Sequence, residues 1–400
     1  MVIRGIKIDI IVKLTVILIQ ALLISFSTSA LGQETGLKII YTGSLQGQLE
    51  PCGCSPKTDF GGIARISGYL SSHKNELSPY ILLDAGNFSA EDTPQGRLKT
   101  ETMLNYFRAA QYDAVALSEK ENGFPQQYFP PLLEKYGLPV VAGSSKYRRS
   151  LAIKRDRFDI NVSADPNGFE KGKLDVLLTG LPLAKAKLIN GWDLIITSSN
   201  EELDEPVKKG GTIIVSGYPK GKKLGILTIK TFDGEMFDIV HRWESIGNDI
   251  KEDKKVRNLL NDYDKKVALL LKESEQPAVG ATYEGVAGCA ECHQPFEESW
   301  KATRHAGAFS TLVSAGKSAD PECLVCHTVG FGEDGGFSSI ETTPELANVQ
   351  CEVCHGPDKE HRKDFSRPMQ IVTEAVCVKC HTKDNSPDFD YPVYLNKIKH

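Results

Sequence analysis

Between Leu37 and Trp243 the chain alternates short apolar runs with amphipathic or loop segments. The runs are Leu37 to Tyr41, Tyr80 to Asp84, Ala114 to Leu117, Pro139 to Ala142, Leu174 to Leu178, Leu194 to Thr197, Thr212 to Val215 and Leu224 to Ile229. Several are rich in β-branched residues and lack polar alternation, the pattern of strands buried on both faces. Gly62 to His73 and Gly96 to Ala110 lie between runs and read as helices. Strands interleaved with helices predict a layered α/β sandwich over residues 37–245. From 249 to 273 the period changes: Val256, Leu259, Leu260, Tyr263, Val267, Leu270 and Leu271 make one apolar stripe on a charged helix that ends near Pro277. Residues 246–284 therefore read as a helical connector and linker. Residues 285–400 form a second unit, mostly helical and irregular.

Composition changes this picture little: 400 residues, 40% hydrophobic and 25% charged, are ordinary for two or three globular domains. Charge adds more. The net charge is -5, and residues 285–400 alone hold 11 Lys/Arg against 17 Asp/Glu, a balance of -6. An acidic second unit predicts basic patches on its protein partners and no nucleic-acid binding. At the N-terminus, Arg4, Lys7 and Lys13 precede an apolar run from Leu14 to Phe26, and Thr28 and Ala30 are placed as at a cleavage site. Residues 1–30 thus read as a secretory signal. The alternative is an uncleaved anchor over Ile10 to Ile24, the only way this chain would meet a membrane.

The chemistry is concentrated in the second unit, where Cys-x-x-Cys-His occurs four times: Cys289/Cys292/His293, Cys323/Cys326/His327, Cys351/Cys354/His355 and Cys377/Cys380/His381. Two thiols three positions apart can bond the two vinyl groups of one haem, with the adjoining His as proximal iron ligand. Paired cysteines also build zinc ribbons and thioredoxin-like sites, but a ribbon needs no His after each second Cys. With roughly 29 residues per motif there is too little chain for an ordinary core. Four covalent c-type haems, buried, would supply one. Haem attachment outside the cytoplasmic membrane fits the export signal and predicts a periplasmic or extracellular protein.

The first unit resembles the metallophosphoesterase domain of the secreted nucleotidase family. The matching stretches are Ile40-Tyr-Thr-Gly-Ser-Leu-Gln-Gly-Gln-Leu-Glu-Pro51, Gly61-Gly-Ile-Ala-Arg65, Ile81-Leu-Leu-Asp-Ala-Gly-Asn87, Tyr112-Asp-Ala-Val-Ala-Leu117, Pro139-Val-Val-Ala142 and Lys220-Gly-Lys-Lys-Leu-Gly225. The resemblance implies two metals held by Asp and His in the first loop, by Asp after the second strand, by an Asn-His pair and by later histidines. Here Ser44, Gln46, Asn87 and Glu119-Lys120 stand at those positions, and Trp192 to Ser199 contains no His. Two-metal hydrolysis needs anionic oxygen and imidazole ligands, and a Lys ammonium repels cations. The unit is therefore expected to be a non-hydrolytic copy that holds no divalent metal.

The segment from Cys289 to Ala306 resembles the opening of the tetrahaem cytochrome c554 family, and Cys354-His-Gly-Pro-Asp-Lys-Glu-His361 resembles a later stretch of it. The resemblance implies that His305 and His361 are distal ligands, each for a haem other than its neighbour in sequence. Fully ligated haems would need two more. His400, Met369, His73 and His241 are weak candidates, which leaves room for a five-coordinate iron. Bis-histidine iron suits electron transfer, whereas an open position binds small molecules. The expected function is electron transfer between donor and acceptor proteins, with the first unit as docking module. The alternatives are a redox enzyme acting on a small nitrogen or sulfur compound, and a phosphoesterase fused to a cytochrome. Cys52-Gly-Cys54, between Pro51 and Pro56, is a separate feature. Such close cysteines can form an easily reduced disulfide, a structural bridge or free thiols.

Overall fold

The computed structural model describes residues 36–400 except 145, 171–172, 233–234, 275–281, 358 and 400. The expected signal segment, Pro277 and His400 lie outside the described residues.

Two six-stranded sheets form the first unit. The first contains β1 (Leu37–Thr42), β2 (Tyr80–Asp84), β3 (Ala114–Ala116) and β4 (Val140–Val141), mutually parallel, extended by an antiparallel hairpin described further below. The second is built on parallel pairing of β6 (Phe158–Ser163), β7 (Leu174–Thr179), β8 (Leu194–Thr197) and β10 (Thr212–Ser216), with β5 (Ser150–Arg155) and β9 (Val207–Lys209) antiparallel at its edges. The hairpin of β11 (Lys223–Phe232) and β12 (Glu235–Ser245) joins the first sheet through β1, giving the order β12-β11-β1-β2-β3-β4.

The sheets pack face to face. Leu37, Ile39 and Tyr41 of β1 and Ile81 and Leu83 of β2 meet Val162, Val176, Leu178, Leu194 and Ile196 between the sheets. The intervening residues Ile40 and Leu82 face the other way, into a core with helices. Both faces of these strands are thus buried, which is why their sequence is continuously apolar. The helical layer includes α1 (Ile63–Ser72) and α2 (Pro94–Ala109). Thr93 caps α2, its hydroxyl accepting from Gly96 N. The long helix α3 (Lys254–Ser274) inserts Val256, Leu260, Tyr263 and Val267 into that same core. The charged helix is therefore a packed member of the layer as well as a link. Gly68 on α1 allows this approach: a Cβ there would stand 1.9 Å from the Lys251 carbonyl oxygen.

The second unit is helical and irregular, with α4 (Gly285–Lys301), α5 (Ala308–Ala315), α6 (Pro321–His327), α7 (Cys351–His355), α8 (Glu374–Cys377) and α9 (Tyr391–Ile398). Its own core is small, comprising Tyr283, Phe309, Leu312, Leu324, Val329, Phe337, Leu346 and Ala347. Polar contacts seat it on the first unit. Lys317 Nζ bonds Glu50 at 2.7 Å and Asp264 at 2.6 Å, and Gln95 Nε2 donates to Asp320 Oδ1 at 2.8 Å. Among the described residues no helix is long and apolar enough to cross a membrane.

Candidate functional site

Helical geometry explains how the second and third Cys-x-x-Cys-His motifs can each act as one unit. Positions i, i+3 and i+4 share a helix face, so both sulfurs and the imidazole point to the same side. The second motif ends α6 and the third is α7 itself. The first lies in α4, which departs from helical dihedrals at His293 (φ -115°, ψ 37°) just before Pro295. Proline lacks the amide donor and crowds the preceding turn, which accounts for the break.

Sulfur neighbours link the motifs out of sequence order. The Cys289 and Cys351 thiols lie close enough to interact, and so do those of Cys326 and Cys380. Cys354 and Cys377 are near enough to interact electrostatically. The motifs therefore stand in the row first, third, fourth, second.

Cys292 differs in burial from the other cysteines of the four motifs. It is exposed, whereas the other seven are partly buried. The row explains the difference. The first motif stands at one end, where Cys289 meets the third motif and Cys292 has no further motif beyond it. Cys323, at the opposite end, is covered because it packs against the small core of the second unit. Its place in the Cys-x-x-Cys-His spacing is what marks Cys292 as a candidate attachment point.

Imidazoles pair across this row. The rings of His293 and His361 have centroids 6.2 Å apart with planes within 18°, and those of His305 and His381 are also 6.2 Å apart, inclined at 47°. A metal bound between two imidazole nitrogens at about 2 Å from each would set the centroids roughly 6 Å apart. Hydrogen bonds fix tautomers as well. His327 Nδ1 lies 2.7 Å from the Ala308 carbonyl, His361 Nδ1 2.6 Å from that of Arg367, and His355 Nδ1 3.3 Å from that of Gln370. A carbonyl only accepts, so each Nδ1 carries the proton and each Nε2 keeps its lone pair for a metal. Burial lowers the pKa of His305 and His381, favouring the neutral form that ligates.

Large apolar side chains are exposed around the motifs: Phe296, Val313, Val325, Phe365, Ile371 and Val378. With a core as small as this one, such a rim suits flat apolar macrocycles seated between the motifs. The donors, their tautomers and the apolar rim all fit covalent haem.

The other histidines behave differently. His241 Nε2 is hydrogen-bonded to the Tyr41 hydroxyl at 2.9 Å, and burial brings its pKa down to about 4. His73 stacks on Tyr69 and is hydrogen-bonded to its carbonyl. Both are engaged within the first unit.

A second site lies at the loops following the parallel strands, where the resemblance to nucleotidases places metals. Ser44, Gln46 and Asn87 all adopt left-handed backbone, with φ of 58°, 54° and 56°. Strained non-glycine residues of this kind cluster at functional sites. Amides now fill the centre: Gln46 Nε2 and Asn87 Nδ2 both donate to Asn200 Oδ1, at 2.7 and 2.9 Å. Lys120 Nζ is paired with Glu91 at 2.7 Å. Glu121, one residue further on, is buried and accepts from the Asn87 and Ser89 amides. Among the described residues no group of three or more His, Cys, Asp or Glu side chains converges as a metal site would. A cavity of about 280 Å³ opens beside the amides, lined also by Lys99 and by Glu322, the neighbour of Cys323. Lys99 and Glu322 pair at 2.5 Å across the two units. Asn200 and Glu91 carried no signal in the sequence, because their roles depend on which loops the fold brings together.

Comparison with known proteins places both halves. The family described as cytochrome c554 and c-prime matches residues 288–356, which include the first three motifs. Cytochrome c-554 of Nitrosomonas europaea is 33% identical over 120 residues, covering 26% of this chain and 51% of that protein. The chain thus spans about half the length of the curated relative it matches. Among solved structures, a 5'-nucleotidase precursor from Thermus thermophilus superposes with a TM-score of 0.51 at 16% identity, covering 70% of this chain and 68% of that one. A sulfate thiohydrolase, SoxB, from the same organism gives a TM-score of 0.49 at 14% identity, covering 59% and 61%. The chain joins a unit with the 5'-nucleotidase fold to a C-terminal segment whose residues 288–356 match the cytochrome c554 and c-prime family.

Proposed function

We propose that this chain is an exported, periplasmic electron-transfer cytochrome with four covalent haems, whose first unit is a non-hydrolytic docking and positioning module. The observation that carries the reading is the single row of motifs, flanked by two pairs of imidazoles at metal-spanning distance. Cys289/Cys292, Cys323/Cys326, Cys351/Cys354 and Cys377/Cys380 would hold the porphyrins, and His293, His327, His355 and His381 the irons. In this reading His361 ligates the haem of the first motif and His305 that of the fourth. Bound haem supplies a one-electron iron couple; the protein sets order, axial ligands and dielectric. Its acidic second unit would meet basic faces of a donor and an acceptor through weak, salt-sensitive contacts.

Ultraviolet-visible spectra and intact mass of protein made in a haem-maturing host test this directly. The expected result is a mass gain of four haems and a spectrum dominated by low-spin iron. Colourless polypeptide with the mass of its amino acids alone would end the proposal.

A second reading has its own observation. His327 holds the Ala308 carbonyl through Nδ1, and among the described residues no second imidazole faces it as His305 faces His381. The haem of the second motif is then the place where a small ligand could reach iron. That motif adjoins the cavity between the units through Glu322.

A further inference from the structure

Cys52 and Cys54 are joined by a disulfide across a single residue, with Cα atoms 5.4 Å apart. Both cysteines and Gly53 are exposed, and Gly53, at φ +70°, has open space where a Cβ would stand. A bridge closing so small a loop removes little freedom from the unfolded chain, so it is a poor structural staple. Solvent and other thiols can reach its sulfurs, the condition for exchange or reduction.

The residues after the bridge are clamped to the fourth Cys-x-x-Cys-His motif. The Thr58 amide donates to the Ser55 carbonyl at 3.1 Å, folding the segment back on itself. Thr58 Oγ1 donates to the Asp384 carbonyl at 2.6 Å, and Lys57 pairs with Asp388 at 2.8 Å. The Asp384 carboxylate is held by Lys220 and, at 3.0 Å, by Lys222. The turn carrying Asp384 is itself bound to the motif. Asn385 Nδ2 donates to the Cys380 carbonyl at 3.3 Å, and Phe389 stacks on His381 at 5.0 Å. The segment that follows the exposed disulfide is thereby fastened, by contacts between the two units, to the turn that packs on a haem-attachment motif.

We propose that Cys52–Cys54 is a reversible dithiol–disulfide couple that exchanges electrons with the haem row at the fourth motif. The proposal rests on the reading that Cys377 and Cys380 carry a haem. Reduction breaks the Sγ–Sγ bond and takes up two electrons and two protons to leave two thiols. Two ferrous haems give one electron each and become ferric, and the protons come from the solvent around the exposed loop. Re-oxidation runs the same balance backwards or passes the pair, by thiol–disulfide exchange, to a partner that carries a disulfide. The couple thus converts one-electron haem chemistry into a two-electron sulfur reaction.

The test uses the full haem-loaded chain, reduced electrochemically through a thiol-free mediator without oxygen, then alkylated with iodoacetamide. Peptide mass reads the label on Cys52 and Cys54, and absorbance of the same sample reads the haems. The expected result is two alkyl groups in the ferrous protein and none in the ferric. Reductive titration should consume two electrons more than in the Cys52→Ser/Cys54→Ser variant. Cys377→Ser/Cys380→Ser should slow labelling at least tenfold, and Lys220→Ala/Lys222→Ala, which leaves all haem cysteines in place, should also slow it. An unlabelled bridge in fully ferrous protein overturns the proposal, as does labelling at an unchanged rate in both variants. A sample without haem absorbance counts against the haem reading instead.

Discussion

The imidazoles of His305 and His381 stand with centroids 6.2 Å apart, although one follows α4 and the other α8. His305 sits in the turn Arg304–Gly307 and His381 follows α8. The pairing brings an early and a late segment of that unit to one point. A metal at that point would tie them by coordination, so binding and folding would be linked.

His305→Ala and His361→Ala should therefore each turn one haem from low to high spin without changing the haem count. Electron paramagnetic resonance, with intact mass as control, reads both quantities. In the double variant two haems should change, because the partners His381 and His293 belong to different motifs. Unchanged spin states in both single variants would remove these residues from the ligand set.

At the second motif the expectation is opposite. Carbon monoxide added to the reduced protein should shift the absorbance of the haem of Cys323/Cys326/His327 and leave those of the first and fourth motifs, whose imidazoles are paired, unshifted. Glu322→Ala removes the ion pair with Lys99 at the cavity and should change the rate of carbon monoxide binding with little effect on folding, since a pair whose carboxylate stands largely in solvent contributes about 1 kcal/mol. Absence of any shift means every iron carries two protein ligands.

The strands of the first sheet and the Cys-x-x-Cys-His motifs were legible in the sequence for physical reasons. Burial on both faces leaves continuous apolar runs such as Leu37 to Tyr41, and thioether chemistry demands fixed spacing. By contrast β5, β6 and β12 gave no clear run. β5 is an edge strand that alternates partly buried and exposed residues, with Lys154 and Arg155 in it. α3 read as a connector because its stripe shows amphipathicity but not which core it enters. The order of the motifs could not be read at all, since spacing along the chain carries nothing about which sulfurs meet across it. The exposure of Cys292 follows from that order and was hidden with it. Asn200 likewise gained its place only when β8 brought it to Gln46 and Asn87.

The remnant pocket yields a third prediction. Its centre is held by neutral amides, and the two carboxylates of its rim, Glu91 and Glu322, are each paired with a lysine, Lys120 and Lys99, a lining that does not converge on a divalent cation as carboxylate and imidazole ligands do. Manganese or zinc titrated into the protein should give no binding heat that Gln46→Ala or Asn87→Ala abolishes, and hydrolysis of a generic phosphate monoester should stay at background. Metal-dependent hydrolysis lost on changing Asn87 would restore the phosphoesterase reading.

The last prediction concerns pH. Asp84 is fully buried and accepts from Thr42 Oγ1 at 2.7 Å and Gly86 N at 2.8 Å, yet burial raises its pKa from 3.8 to about 7. Between those values the native state keeps a proton that the unfolded chain has lost, so stability falls as pH rises through this window and is level above it. His241 acts with the other sign. Burial lowers its pKa from 6.5 to about 4, so the unfolded chain takes a proton the native state refuses, and stability falls as pH drops through that range. The two slopes oppose each other in wild type and are separable by mutation. Asp84→Asn should gain on wild type progressively from pH 4 to pH 7, by at most about 4 kcal/mol. His241→Gln, whose amide can still meet the Tyr41 hydroxyl, should gain on wild type toward acid. Urea midpoints of the haem-loaded protein across pH 4 to 8 make the comparison, and an offset from wild type that does not vary with pH, in either variant, would falsify the assignment for that residue.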